Sequence, residues 1–157
     1  MPLLKLGDLA PDFTLLNQDE KPINLKKFEG KYVVIYFYPK ALTPGCTIQA
    51  CQLRDHLSEL QHYGITVLGI SADPPKLLKK FQSTENLNFD LLSDPDHKVI
   101  ENYGAWQEKS MYGKHYMGIA RMSYILAPDQ TVCHVLPKVS PKTHVQDVIK
   151  FFINHIK

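Results

Sequence analysis

The segment Tyr32–Tyr38, "YVVIYFY", is an unbroken run of β-branched and aromatic residues. A strand with one wet face alternates apolar and polar residues. A strand that is apolar throughout is read as covered on both faces, which requires a sheet with helices on either side. A second run of this kind is "ITVLGIS" at 65–71. A third is "SYILA" at 123–127, which can pair through the turn "PDQ" with "VCHVL" at 132–136.

Helical patterns lie between the runs. Residues 44–63 carry Ile48, Cys51, Leu53, Leu57 and Leu60 at near-helical spacing and end at Gly64. "PPKLLKKFQSTE" opens on prolines after Asp73, and "DPDHKVIENYG" reads as a short helix between Asp94 and Gly104. A last helix is predicted from Ser140, with Pro141 in its first turn, to the end; Val145, Val148, Ile149, Phe152 and Ile156 form one face. Alternating strands and helices predict an α/β fold with right-handed crossovers and a central, largely parallel sheet. "FTLLNQDEKPINLKKF" reads as a small hairpin or edge element. Residues 105–120 show no clear period and read as a long loop. No repeat, linker or low-complexity tract divides the chain, so one domain over 1–157 is expected.

Composition narrows the function. A formal net charge of +2, with Lys and Arg scattered, gives no basic field for nucleic acid. No apolar run has the length of a membrane span, and the N-terminus is not read as a signal or transit peptide. The chain has 3 cysteines, an odd number too small for a secreted disulfide scaffold. A reducing, cytoplasmic setting is expected, where a close thiol pair points to chemistry.

That pair lies in "PKALTPGCTIQAC", residues 39–51. Thr43 suits an N-cap and Pro44 the first helical position, which puts Cys46 in the first turn of a helix following a buried strand. Unpaired backbone N–H groups and the helix dipole favour negative charge there. A thiol so placed is expected to ionise more readily than its reference pKa of ~8.5, and the thiolate is the nucleophile. Cys51 is five residues on. In an intact helix that spacing separates the Cα atoms by roughly 8–9 Å, whereas a disulfide needs about 4.4–6.8 Å. Bonding would therefore require the first turns to unwind. Taken alone, Cys51 reads first as a small buried residue of the inner helix face; beside Cys46 the balance moves to chemistry.

The segment "FYPKALTPGCTIQACQLRD" closely resembles the active-site segment of the peroxiredoxins, specifically the bacterioferritin-comigratory protein (PrxQ) subfamily. The general pattern Pro-x-x-x-Thr/Ser-x-x-Cys is met by Pro39, Thr43 and Cys46, and the subfamily's second cysteine by Cys51. The resemblance continues through "GDLAPDFTLLNQD", "VLGISADPPKLLKKF", "LLSDPDHKVIENYGAW" and "GIARMSYILAPD", the last placing an active-site arginine at Arg121. It implies a thioredoxin-like fold with an N-terminal β-hairpin extension and thiol-dependent peroxidase activity on hydrogen peroxide or organic hydroperoxides. Cys46 would be peroxidatic, and Cys51 would resolve its sulfenic acid as an intramolecular disulfide. Thioredoxin or a glutaredoxin-like dithiol would reduce that disulfide. Thr43 and Arg121 would hold the thiolate and polarise the peroxide, Pro39 would shield the sulfur, and the N–H groups of Gly45 and Cys46 would bind the oxygens. No metal or organic cofactor is implied, and a monomer is expected.

One departure stands out. The usual acidic pair before the threonine is Ala41-Leu42 here, which suggests a bias toward bulkier hydroperoxides. Cys133 reads as a small strand residue on the same face as Val135, and most of the 7 histidines as surface or helix-flank residues, with His115 a minor candidate for the site. Trp106, Tyr112, Tyr116 and Met117 read either as packing over the sheet or as an apolar wall and docking surface. Two rival functions remain. A thioredoxin-type oxidoreductase would carry Cys-x-x-Cys and a proline where "IARMSY" has arginine. A redox-sensing binding protein would use the same switch without turnover.

Overall fold

The computed structural model describes residues 3–155. Its main sheet has seven strands: β1 (Thr14–Asn17), β2 (Pro22–Asn24), β3 (Tyr32–Phe37), β4 (Ile65–Ser71), β5 (Asp90–Ser93), β8 (Met122–Leu126) and β9 (Val132–Leu136). They lie in the order β2-β1-β5-β4-β3-β8-β9. β6 (Trp106–Met111) and β7 (Lys114–Ile119) form a separate hairpin. The helices are α1 (Pro44–Asp55), α2 (Leu57–His62), α3 (Pro75–Glu85), α4 (Lys98–Asn102) and α5 (His144–His155).

The run at 32–38 behaves as its composition requires. Val33, Ile35 and Phe37 enter one core, while Val34, Tyr36 and Tyr38 enter the other, and all are buried. The first core lies against α4 and the N-terminal segment; the second is covered by α1, α2, α3 and α5. Gly69 of β4 is required by this packing, because a Cβ there would lie 2.8 Å from the Tyr36 ring.

The sheet is mixed. β3 runs parallel to β4 and β4 to β5, but β1–β2, β1–β5, β3–β8 and β8–β9 are antiparallel. Its parallel part is thus smaller than the alternation predicts, because the hairpin at 122–136 and the N-terminal hairpin dock antiparallel on its two sides. β5 has four residues and no periodicity to announce it.

Three local expectations are corrected. The helix predicted over 44–63 breaks at His56, whose backbone (φ −105°, ψ 7°) leaves helical geometry while its Nδ1 turns back onto the Gln52 carbonyl at 2.9 Å. The last helix starts at His144 rather than Ser140; the Ser140 carbonyl accepts from the N–H groups of Thr143 and His144 in a preceding turn. Residues 105–120 are not a loop. The β6–β7 hairpin turns through Tyr112 and Gly113, both at positive φ (53° and 78°) as a two-residue turn demands. From Lys114 to Met117 both faces are exposed, so burial imposes no alternation on the sequence.

A further correction concerns Cys133. A register shift in β8–β9 pairs Leu126 with Val132 but Ile125 with His134. This bulge turns Cys133 toward the core shared with Leu136, while Val132 and Val135 face the other. Simple alternation had put Cys133 and Val135 together.

Candidate active site

β3 ends in the loop 38–43, and α1 begins at its far side. Thr43 takes the N-cap position with extended backbone (φ −81°, ψ 154°), and Pro44 follows it in the first turn. The Thr43 hydroxyl does not cap the helix as expected: it donates to the Lys40 carbonyl at 2.8 Å. With its proton committed there, Oγ1 keeps lone pairs free to accept a further hydrogen bond. The loop is tied to the sheet by the Ala41 N–H, which donates to the buried Asp73 carboxylate at 2.8 Å. Leu42 takes a left-handed conformation, φ +67°, that a leucine rarely adopts.

Cys46 is in the first turn of α1 and 2% exposed. The first N–H groups of a helix have no intrahelical acceptor, so those of Gly45 and Cys46 are available to an anionic or peroxidic oxygen. Arg121 lies between β7 and β8, half-buried, with its backbone carbonyl accepting from the Val139 N–H at 3.0 Å. Its guanidinium lies over Gly45: a Cβ at Gly45 would be 3.3 Å from Nη2. The other arm is fixed, with Nη1 donating to Gln49 Oε1 at 2.7 Å. Pro141 lies 3.5 Å from the same Gly45 position, so the segment leading into α5 packs beside the start of α1. Pro39, half-buried, opens the loop. The structure therefore brings Pro39, Thr43, Gly45 and Cys46 together on one loop and helix start, and places Arg121 against them.

Cys51 is half-buried on α1, and all three cysteines are free. Its Sγ donates to Glu85 Oε2 of α3 at 3.4 Å. Burial, then this bond, holds the Cys51 thiol above its ordinary pKa, with Arg54 opposing. Cys133 is half-buried with Sγ donating to the Ile125 carbonyl at 3.3 Å, and burial pushes its pKa up to about 11. It is a strand residue away from the Cys46 loop.

Gln49, His144, Lys109 and Tyr36 were not singled out for the site by sequence reasoning. Gln49 joins Arg121 and His144, and it is buried in α1. His144 is fully buried, not a helix-flank residue, and burial drives its pKa down to about 3. Lys109 of β6 is half-buried; burial and then Arg121 lower its pKa, while Cys46 opposes. Tyr36 lies close enough to sense Cys46, but burial raises its phenol far above the ordinary range and excludes it as a base. His115 points to solvent and pairs with Glu108 at 3.2 Å. Trp106 stacks on His97 with ring centroids 4.0 Å apart, whereas Tyr112, Tyr116 and Met117 are exposed. These three form no packing over the sheet.

A cavity of about 610 Å³, lined by Gly64, Ile65, Phe89 and Asp90 among others, lies at the opposite end of the strands. Among the described residues no His, Cys, Asp and Glu cluster could hold a metal, and no helix is long and apolar enough to cross a membrane.

A buried thiol at the junction of a central strand and a helix, in a sheet of this order, is the arrangement of thioredoxin-like thiol enzymes. Comparison with known proteins gives the class its members. The model of the AhpC/TSA family matches residues 6–135, and the chain belongs to that family, as a peroxiredoxin of the Bcp/PrxQ group with thiol peroxidase activity. The putative peroxiredoxin bcp of Haemophilus influenzae is 53% identical over 148 residues, covering 94% of this chain and 96% of its own length. Peroxiredoxin Bcp of Escherichia coli is 49% identical over 152 residues, 97% of each chain. The bacterioferritin comigratory protein of Xanthomonas campestris, solved to describe its alkyl peroxide reduction, superposes with a TM-score of 0.90 at 31% identity over 100% of both chains. Xylella fastidiosa PrxQ shares the fold at a TM-score of 0.94 and 24% identity, again over 100% of both chains. Membership implies a peroxide substrate and a thiol reductant, and an enzyme of the atypical 2-Cys type.

Proposed function

We propose that Cys46 is the peroxidatic residue and Cys51 the resolving one. The Cys46 thiolate attacks the distal peroxide oxygen. The O–O bond breaks, the oxygen becomes the hydroxyl of a Cys46 sulfenic acid, and the leaving alkoxide or hydroxide takes a proton as alcohol or water. The Arg121 guanidinium and the N–H groups of Gly45 and Cys46 stabilise charge developing on the oxygens. Thr43 Oγ1 accepts from the peroxide hydroxyl, and Pro39 limits water at the sulfur. After α1 unwinds, Cys51 attacks the Cys46 sulfur, water leaves and a disulfide forms. A dithiol reductant, of which thioredoxin or a glutaredoxin-like protein is the best fit, exchanges with that disulfide and becomes oxidised itself.

The observation that carries this reading is Arg121 set over Gly45, beside a buried thiol in the first turn of α1. We place the enzyme in the cytoplasm as a monomer of one domain. The cysteine pair lies in one chain, and strands from both ends of the chain share one sheet.

One equivalent of hydrogen peroxide added to the reduced protein tests it, with products mapped by intact and peptide mass spectrometry. Loss of two hydrogens mapping to Cys46–Cys51, and sulfenic acid on Cys46 in Cys51→Ser, are expected. A disulfide involving Cys133, or no oxidation of Cys46, would overturn the assignment. A single oxidation with no turnover under added reductant would favour the redox-sensing reading.

A further inference from the structure

His144 has no role in the reaction as written, yet it is fully buried and tied to the site. Arg121 can only donate, so the Gln49 oxygen must face it, at 2.7 Å. The Gln49 amide nitrogen therefore faces His144 Nδ1, at 3.0 Å. That nitrogen can only donate, so Nδ1 must accept. His144 is then neutral with its proton on Nε2, and burial keeps it neutral. The Nε2–H is buried and has no hydrogen-bond partner among the described residues. An unmade bond of this kind destabilises a fold, and an apolar side chain of similar volume would avoid it. The imidazole keeps one polar contact, and that contact leads to Arg121.

We infer that His144 is a positioning residue for the peroxidase reaction: its Nδ1 fixes the Gln49 amide, and Gln49 fixes the Arg121 guanidinium over Gly45 and Cys46. Gln49 lies between the two cysteines on α1. Unwinding α1 for the Cys46–Cys51 bond removes Gln49 from both partners, so Arg121 is held only while the helix is whole. The inference rests on the assignment of Cys46 above.

The test compares His144→Leu, which nearly keeps the volume but lacks the acceptor, with His144→Asn, which is smaller but can present an oxygen near the Nδ1 position. Rapid mixing with hydrogen peroxide gives the rate of Cys46 oxidation, and thermal melting gives stability. His144→Leu is expected to slow oxidation about threefold to tenfold, the worth of one neutral hydrogen bond, with little change in Tm, because it removes the unpaired Nε2–H but leaves the buried Gln49 amide unpaired in its place. His144→Asn should restore most of the rate despite a lower Tm. A purely structural role predicts the reverse order, with rate following Tm. In a Gln49→Leu background, His144→Leu should have no further effect on the rate. Wild-type-like oxidation in His144→Leu, or effects that multiply in the double variant, would overturn the inference. Absence of Cys46 sulfenic acid in Cys51→Ser would instead sink the assignment of Cys46.

Discussion

The Cys51 thiol donates to the Glu85 carboxylate at 3.4 Å, which joins α1 to α3 at the residue we assign as resolving. The bond holds Cys51 protonated and anchored while the helix is intact. Glu85→Gln removes the charge but keeps an acceptor. It should speed disulfide formation about threefold, the effect expected for one half-exposed charged contact. Quench-flow mass spectrometry, following sulfenic acid to disulfide, checks this; an unchanged rate means the anchor does not restrain α1.

Arg121 divides its guanidinium between Gln49 and the mouth of the site. A lysine offers a single ammonium and cannot do both. Arg121→Met should slow Cys46 oxidation about 10²-fold, the usual cost of one charge-stabilising donor. Arg121→Lys should recover only part of it. Full recovery in the lysine variant would mean that charge alone, not the fork, is used.

Leu42 replaces an acidic residue usual in the subfamily and is held half-buried beside the site at positive φ. We expect Leu42→Asp to lower the rate with an organic hydroperoxide relative to hydrogen peroxide. Aspartate tolerates that backbone conformation better than leucine, so folding should survive. A ratio identical to wild type would remove any role for this loop in substrate choice.

Acid should destabilise the protein through His144. Its folded pKa of about 3 is below the unfolded value of ~6.5. The unfolded chain therefore binds the proton first as pH falls. The stability contributed by neutral His144 is complete above pH ~6.5 and is lost toward pH ~3, at up to ~1.4 kcal/mol per pH unit. Asp94, raised to about 6 chiefly by burial, acts in the opposite direction and is common to both proteins compared. Denaturant unfolding between pH 4.5 and 7 should show a shallower loss for His144→Asn than for wild type. Parallel curves would mean that His144 is protonated in the fold.

Much of the site was legible because it is local. Pro39 to Cys51 is one strand end, one loop and one helix start, and residue type alone marks each: a run apolar on both faces, a Thr-Pro entry and a thiol in the first turn. The β6–β7 hairpin escaped because strands wet on both faces carry no period; only Tyr112-Gly113 hinted at a two-residue turn. Cys133 was misplaced because a bulge adds one residue to the alternation. Gln49 looked like an ordinary helix residue, and His144 lies 95 positions away in sequence.

The sequence by itself determined the layered α/β fold, the central strand and the placement of Cys46 at a helix N-terminus. These depend on apolar runs, caps and helix geometry, which act over a few residues. Only the tertiary structure decided that Arg121 reaches Gly45, that Glu85 holds Cys51 and that Gln49 joins Arg121 to a buried histidine. Those contacts depend on the distances between elements brought together by packing two cores about one sheet, and no local pattern encodes such distances.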